Sequence, residues 1–396
     1  MSTINLRRFF HCLWFTPGHR GRWGLGFRFV GLTGEAKTSI VEEVTRTSGL
    51  HLEVIAAGLH TPEDFAGMPV IREDRTEFRP MAKLLRAAKA GRAVVFFDEM
   101  NQATPATQGA LLKGIHEGTF GDLELPPGVR MIGAHNPVDV AAGGWDLADP
   151  IRTRWGYMPW PEVELDAFCA HLLGGGMDTT EAPAMDASQE EDRVTAAWPE
   201  PWARARGLVA GFLRAKPTML RQHPRADQPK PETWATLRTW ESAARFLAGA
   251  ELHGLDGITT EAGLAGFLGP GVAGEFSEWM VKMDLPDPAE VLDGVAKFSH
   301  DARRPDRTAA VLGSLAALLV SDRCTSRRER ARRFFAILGD VAEKAGDLAV
   351  LGVNTLLRDE NKRHFPEFLG SKEYTSAMAK LEPLTRAAKL GQGGGR

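Results

Sequence analysis

The sequence predicts an α/β domain built on a parallel sheet, followed by helices to the end of the chain. Three observations carry that reading. The stretch Ala93-Val94-Val95-Phe96-Phe97 is an unbroken apolar run of strand length, the pattern of a strand buried on both faces. Strand-like and helix-like segments alternate over the first 160 residues, as they do when helices connect parallel strands. From about residue 195 the apolar residues recur at helical spacing instead.

Taken in order, Phe27-Arg28-Phe29-Val30 reads as a short strand running into a Gly-containing turn, and residues 38–47 as the start of a helix. His51–Ala57 is a second strand. Met81–Ala90 has helical spacing and ends at Gly91, which leads into the apolar run. Gln108–His116 reads as a helix, Val129–Ala134 as another buried strand, and Gly156–Met158 as a short final one. Residues 174–194 are Gly-rich and acidic without periodicity, which predicts a flexible loop or linker. Beyond it, Trp202–Leu213, Trp234–Ala248, Glu275–Lys282, Pro288–Phe298, Thr308–Leu319, Arg327–Lys344 and Leu348–Leu357 read as helices, punctuated by Gly and Pro at 253–257, 267–274 and 285–287. The Gly-rich end, Gly391–Arg396, is expected to be disordered.

A chain of 396 residues is long enough for two or three domains. The net charge of -3 gives no general attraction to nucleic acid. No apolar run reaches the length of a membrane-spanning helix. The apolar stretch after Arg7-Arg8 is too short and broken for an export leader. Cys12, Cys169 and Cys324 are far apart, without ligand spacing, and are expected to be reduced thiols in a cytoplasmic protein.

The chemistry is concentrated in the first domain. Residues 31–38 read Gly31-Leu32-Thr33-Gly34-Glu35-Ala36-Lys37-Thr38, close to the phosphate-loop pattern GxxxxGK[ST], with Ala36 where the second Gly is usual. Small residues between a strand and a helix let backbone N–H groups turn inward around an anion, and the helix N-terminus adds positive potential. Lys37 is expected on the β and γ phosphates of ATP and the Thr38 hydroxyl on Mg2+, with Ser39 counted among the nucleotide-binding residues. Ala36 and the negative charge of Glu35 both weaken such a loop.

The apolar run ends in Asp98-Glu99, so the strand delivers two carboxylates at its C-terminal end, where α/β sites lie. Asp98 is the expected Mg2+ ligand, and Glu99 the residue that orients and deprotonates the attacking water. The next buried strand leads to His135-Asn136-Pro137, which sets the Asn136 amide beside that water. Arg154, in Asp149-Pro150-Ile151-Arg152-Thr153-Arg154, is the candidate arginine for a neighbour's γ-phosphate, with Arg152 as second choice. His51, His60 and His116 have no HxxH or HExxH spacing, so no metal beyond Mg2+ is expected.

This ordered set (GLTGEAKT, VVFFDE, GAHNP and Arg154) resembles the AAA+ ATPases, and within them the MoxR-like group. Asp64-Phe65-Ala66-Gly67-Met68-Pro69 looks like the D-x-x-G-x-P segment of that group, and Glu117-Gly118-Thr119-Phe120 like its E-G-x-F hairpin. Thr236-Leu237-Arg238-Thr239-Trp240-Glu241 looks like its S-P-R-T-W-E lid element, which makes Arg238 the sensor-2 arginine reaching the γ-phosphate. The resemblance implies an α/β P-loop core over residues 1–190, a helical lid over 195–275 and a helical extension over 276–396. It also implies a ring, often hexameric, that hydrolyses ATP to remodel a client, often beside a von Willebrand factor A domain protein. Two other readings fit the same residues. One is an ATP-binding scaffold that hydrolyses poorly because of Ala36. The other is a nucleic-acid motor using the basic run Ser326–Arg333.

Overall fold

The computed structural model describes residues 4–137, 144–162, 165–170, 173, 185–225, 227, 229–283, 285–321, 324–356, 366 and 371–392. The chain forms two compact units, one of residues 1–194 with 221–274 and the other of residues 195–220 with 275–396. Among the described residues there are nine strands: β1 (Phe27–Val30), β2 (His51–Ala56), β3 (Met68–Ile71), β4 (Thr76–Arg79), β5 (Ala93–Asp98), β6 (Thr119–Phe120), β7 (Leu123–Glu124), β8 (Val129–His135) and β9 (Gly156–Pro159).

Five of them form the parallel sheet of the first unit, in the order β2-β5-β8-β1-β9. The predicted α/β class is therefore the class the chain adopts. Ala93 to Phe97 are fully buried on β5. Each large apolar side chain there contributes roughly 1.5–3 kcal/mol of burial, which fixes β5 in the interior and leaves only its end for chemistry. The register sets Val30 beside His135 and Ala56 beside Asp98, so the strand ends that carry the motif residues share one edge of the sheet. Two antiparallel hairpins stand outside the sheet. One is β3 with β4, and the other, β6 with β7, is the hairpin expected after Glu117.

The helices differ from expectation in several places. The stretch after Ile4 is a helix, Leu6–Phe15, capped by the Asn5 side chain, and it buries Phe9, Phe10, Leu13, Trp14 and Phe15. Phe9 packs edge-on against Phe27 and Phe29 of β1. The end of the expected 174–194 linker is also helical: Ala187–Ala197 is a helix, while residues 174–184 lie outside the described ones. Polar groups anchor that helix where apolar periodicity is weak. Glu191 takes hydrogen bonds from Arg130 of β8 at 2.5 Å and from Arg92 at 2.8 Å. Finally, Gly257–Leu268 is a helix despite its glycines, and the helix expected from Glu275 begins earlier, as Pro270–Val281. Gly266 has no room for a side chain against Tyr157 and Phe27, and Gly263 none against Phe246. These glycines serve close packing.

In the second unit the helix Pro199–Ala215 lies against Pro305–Leu319, with Gly207 directly over Ser314. Arg327–Lys344 and Gly346–Leu356 complete a core around Leu312, Leu315, Phe334 and Leu338. The helix begun at Pro288 stops at Asp293, where Gly294 takes positive φ, so residues 295–298 are not part of it.

Candidate active site

Residues 31–36 join β1 to the helix Lys37–Thr47, the strand-loop-helix context a phosphate loop needs. Gly31 sits so close to Trp160 that an added Cβ would lie 2.5 Å from the Trp160 Cβ. Ala36 adopts the left-handed conformation, φ 54° and ψ 22°. The cost of Ala at this position is thus a backbone cost, roughly 1–2 kcal/mol for an L-residue in this region, and the loop still makes the turn.

Lys37 is 8% exposed. Its Nζ donates to the Gly31 carbonyl at 2.8 Å and the Leu32 carbonyl at 2.7 Å, which curls the loop around the ammonium. Burial lowers its pKa below the ordinary lysine value, and the negative charges of Asp98, Glu35 and Glu99 oppose that shift.

Asp98 ends β5 facing the loop. One carboxylate oxygen accepts the Thr38 hydroxyl at 3.0 Å, and the other accepts the backbone N–H of Glu99 at 2.9 Å. Glu99 is held at φ 53°, ψ 39°. A non-glycine residue pays roughly 1–3 kcal/mol for such a conformation, and strain of this kind gathers at functional sites. Asn136 follows β8, between the ends of β1 and β5. Its side-chain oxygen accepts the Thr33 hydroxyl at 3.3 Å, and its backbone carbonyl accepts the Asn101 side-chain amide at 2.9 Å. Thr33, Gly34, Glu35, Ala36, Lys37, Thr38, Ser39, Asp98, Glu99 and Asn136 line one cavity of about 400 Å³.

Arg154 and Arg238 do not join that cavity. They line a second one, with His19, Arg20, Arg22, His116 and Glu241. Arg154 donates to the Pro150 carbonyl at 3.0 Å, and its Nε is buried without a hydrogen-bond partner. Burial lowers the Arg154 pKa, and the nearby positive charge of Arg238 lowers it further. Arg152 is committed elsewhere: it donates to the Leu147 and Pro231 carbonyls and pairs with Glu232 at 3.4 Å. The Trp145 backbone N–H donates to the Asn101 carbonyl at 2.7 Å, and residues 138–143 lie outside the described ones.

Sequence reasoning missed two features. An apolar cavity of about 440 Å³, lined by Tyr157, Trp160, Thr233, Ala262 and Gly266 among others, abuts the phosphate loop through Trp160. The Trp160-Pro161 pair after the last strand was its only local signal. Behind Asn136, His135 lies against the buried Arg28 at 3.1 Å, and Arg28 pairs with Glu232 at 2.8 Å. Burial and the Arg28 charge push the His135 pKa down to about 3.

Fold and site together define a nucleotide-binding P-loop enzyme. Comparison with known proteins agrees: residues 26–154, about a third of the chain, match the AAA domain of the dynein-related subfamily. The chain is an ATP hydrolase with an AAA+ core. One similar solved structure is that of a candidate ATPase from Cytophaga hutchinsonii, 14% identical, with a TM-score of 0.44 over 66% of this chain and 80% of the other. No curated protein sequence matches the chain.

Proposed function

We propose that this protein is a MoxR-like AAA+ ATPase that works as a ring and couples ATP binding and hydrolysis to remodelling of a partner protein. The reading rests on the division of the charged groups between two cavities. Lys37, Thr38, Asp98, Glu99 and Asn136 surround one cavity, while Arg154 and Arg238 stand together in another. A γ-phosphate in the first cavity then receives its arginines from a neighbouring subunit, and hydrolysis requires assembly.

Within the site, backbone N–H groups of the loop cradle the phosphates and Lys37 neutralises them. The Thr38 hydroxyl and Asp98 carboxylate, 3.0 Å apart, are hard oxygen donors that suit Mg2+. Mg2+ would offset charge on the phosphate oxygens. Asn136 orients the attacking water and Glu99 takes its proton. The base of the nucleotide occupies the apolar cavity beside Trp160. The domain scheme, with its helical lid over 195–275 and extension over 276–396, remains part of the proposal, as does a client associated with a von Willebrand factor A domain.

The nucleic-acid reading loses support from the basic run. Arg330 forms a two-point pair with Asp293, Arg332 pairs with Glu373, and Arg327 and Arg333 donate to backbone carbonyls of Leu319 and Leu292. These arginines are engaged within their own unit.

Subunit mixing tests the shared site. Lys37→Ala and Arg154→Ala are each expected to be inactive alone. Mixed, they are expected to regain hydrolysis, because some interfaces then pair an intact Lys37 with an intact Arg154. Full activity of Arg154→Ala alone would sink the shared-site reading.

A further inference from the structure

Three side chains far apart in sequence meet within the first unit. His11 comes from the helix Leu6–Phe15, Glu190 from the helix Ala187–Ala197, and His253 caps the C-terminal end of Leu237–Leu252. One ligand-capable atom from each lies within 4.8 Å of the other two. His11 Nε2 is 3.0 Å from Glu190 Oε1, and His253 Nδ1 is 3.7 Å from that same oxygen. The two rings stand nearly perpendicular, at 89°.

Hydrogen bonds join His11 and Arg193 to Glu190, and His253 stands at the edge of that network. The His253 side chain is 2% exposed. Its Nδ1 lies 3.4 Å from Arg193 Nη2 and 3.7 Å from Glu190 Oε1, both long for hydrogen bonds. A neutral imidazole offers one lone-pair nitrogen to a metal. Two neutral imidazoles and one carboxylate form a His2Glu ligand set of the kind zinc takes. Bonds of about 2.0–2.2 Å in a tetrahedral site set ligand atoms about 3.4 Å apart; the two separations from Glu190 Oε1 are 3.0 and 3.7 Å, and the two histidines approach within 4.8 Å. The remaining charge on Glu190 is met by Arg193, at 2.6 and 2.7 Å.

We propose that His11, Glu190 and His253 form a zinc site that fastens the N-terminal helix, the helix Ala187–Ala197 and the end of the helix Leu237–Leu252 to one another. Arg193 stands where a cation belongs and competes with the metal for Glu190. The fourth ligand position is left to water. The role is structural and independent of nucleotide chemistry.

The test is calorimetric titration of chelator-stripped, full-length protein with Zn2+, without nucleotide. One zinc per chain is expected. His11→Gln, which changes a partly exposed residue, and Glu190→Gln are each expected to weaken binding about tenfold or more. Arg193→Ala is expected to strengthen it. Zinc should raise the unfolding temperature of the natural protein in proportion to its binding and leave that of His11→Gln unmoved. Circular dichroism checks that each variant is folded. Absence of saturable binding, or binding undiminished in folded His11→Gln and Glu190→Gln, overturns the proposal.

Discussion

Ala36 and Glu99 are the two strained residues of the site, both non-glycine and both left-handed. At Ala36 the strain has no evident use, because a glycine would make the same turn freely. Ala36→Gly is therefore expected to stabilise the first unit by about 1 kcal/mol and to preserve hydrolysis, as read by denaturant unfolding and phosphate release. Loss of stability in that variant would show that the Ala36 methyl packs usefully. His135 carries a pH dependence. Its pKa is about 3 in the folded chain, well below the ordinary 6.5. Above pH 6.5 neither state binds the proton. Below it the unfolded chain does and the folded chain does not, so stability falls as pH drops from 6.5 toward 3. Between pH 6.5 and 5.0 this group alone removes up to about 2 kcal/mol, and His135→Gln should flatten that part of the stability profile by a similar amount. The phosphate loop and the carboxylate pair were legible in the sequence because each is local, a short string fixed by what one ligand needs. The His135–Arg28–Glu232 chain was not, since its members lie 107 and 204 residues apart.

At the scale of elements, strands read clearly where burial is two-sided, as on β5, and helices read clearly where one apolar stripe repeats. The failures share a cause. Helix Ala187–Ala197 is tied down by Glu191 on Arg130 and Arg92, and helix Gly257–Leu268 by glycines that admit Phe27 and Phe246. Both depend on partners that a local window does not contain. The same logic gives a test in the second unit. A Cβ on Gly207 would lie 1.8 Å from Ser314 Oγ and 2.6 Å from the Ala310 carbonyl. Alanine gains roughly 1 kcal/mol of helix propensity over glycine, yet the backbone oxygen cannot step aside as a side chain can. Gly207→Ala is expected to lower stability by about 1–3 kcal/mol, measured by thermal unfolding. An increase would mean that the two helices part easily.

Over the whole molecule, the strand order β2-β5-β8-β1-β9 is what turns separate motifs into a site. β8 lies between the phosphate-loop strand and the carboxylate strand, so Asn136 arrives between Thr33 and Asp98. Arg154 and Arg238 were read from the sequence as phosphate-binding residues, and the fold gathers them in a cavity apart from the loop. Under the proposed shared site, hydrolysis is expected to depend on protein concentration. Lys37 and Glu99 are proposed to act on one ATP within the site that Thr38, Asp98 and Asn136 complete. Steady-state phosphate release by Glu99→Gln, together with direct measurement of ATP binding, tests it most directly. Turnover is expected to fall by about 10²–10⁴ while ATP still binds, and Lys37→Ala is expected to lose binding as well. Turnover by Glu99→Gln equal to that of the natural protein would mean that Glu99 does not activate the water.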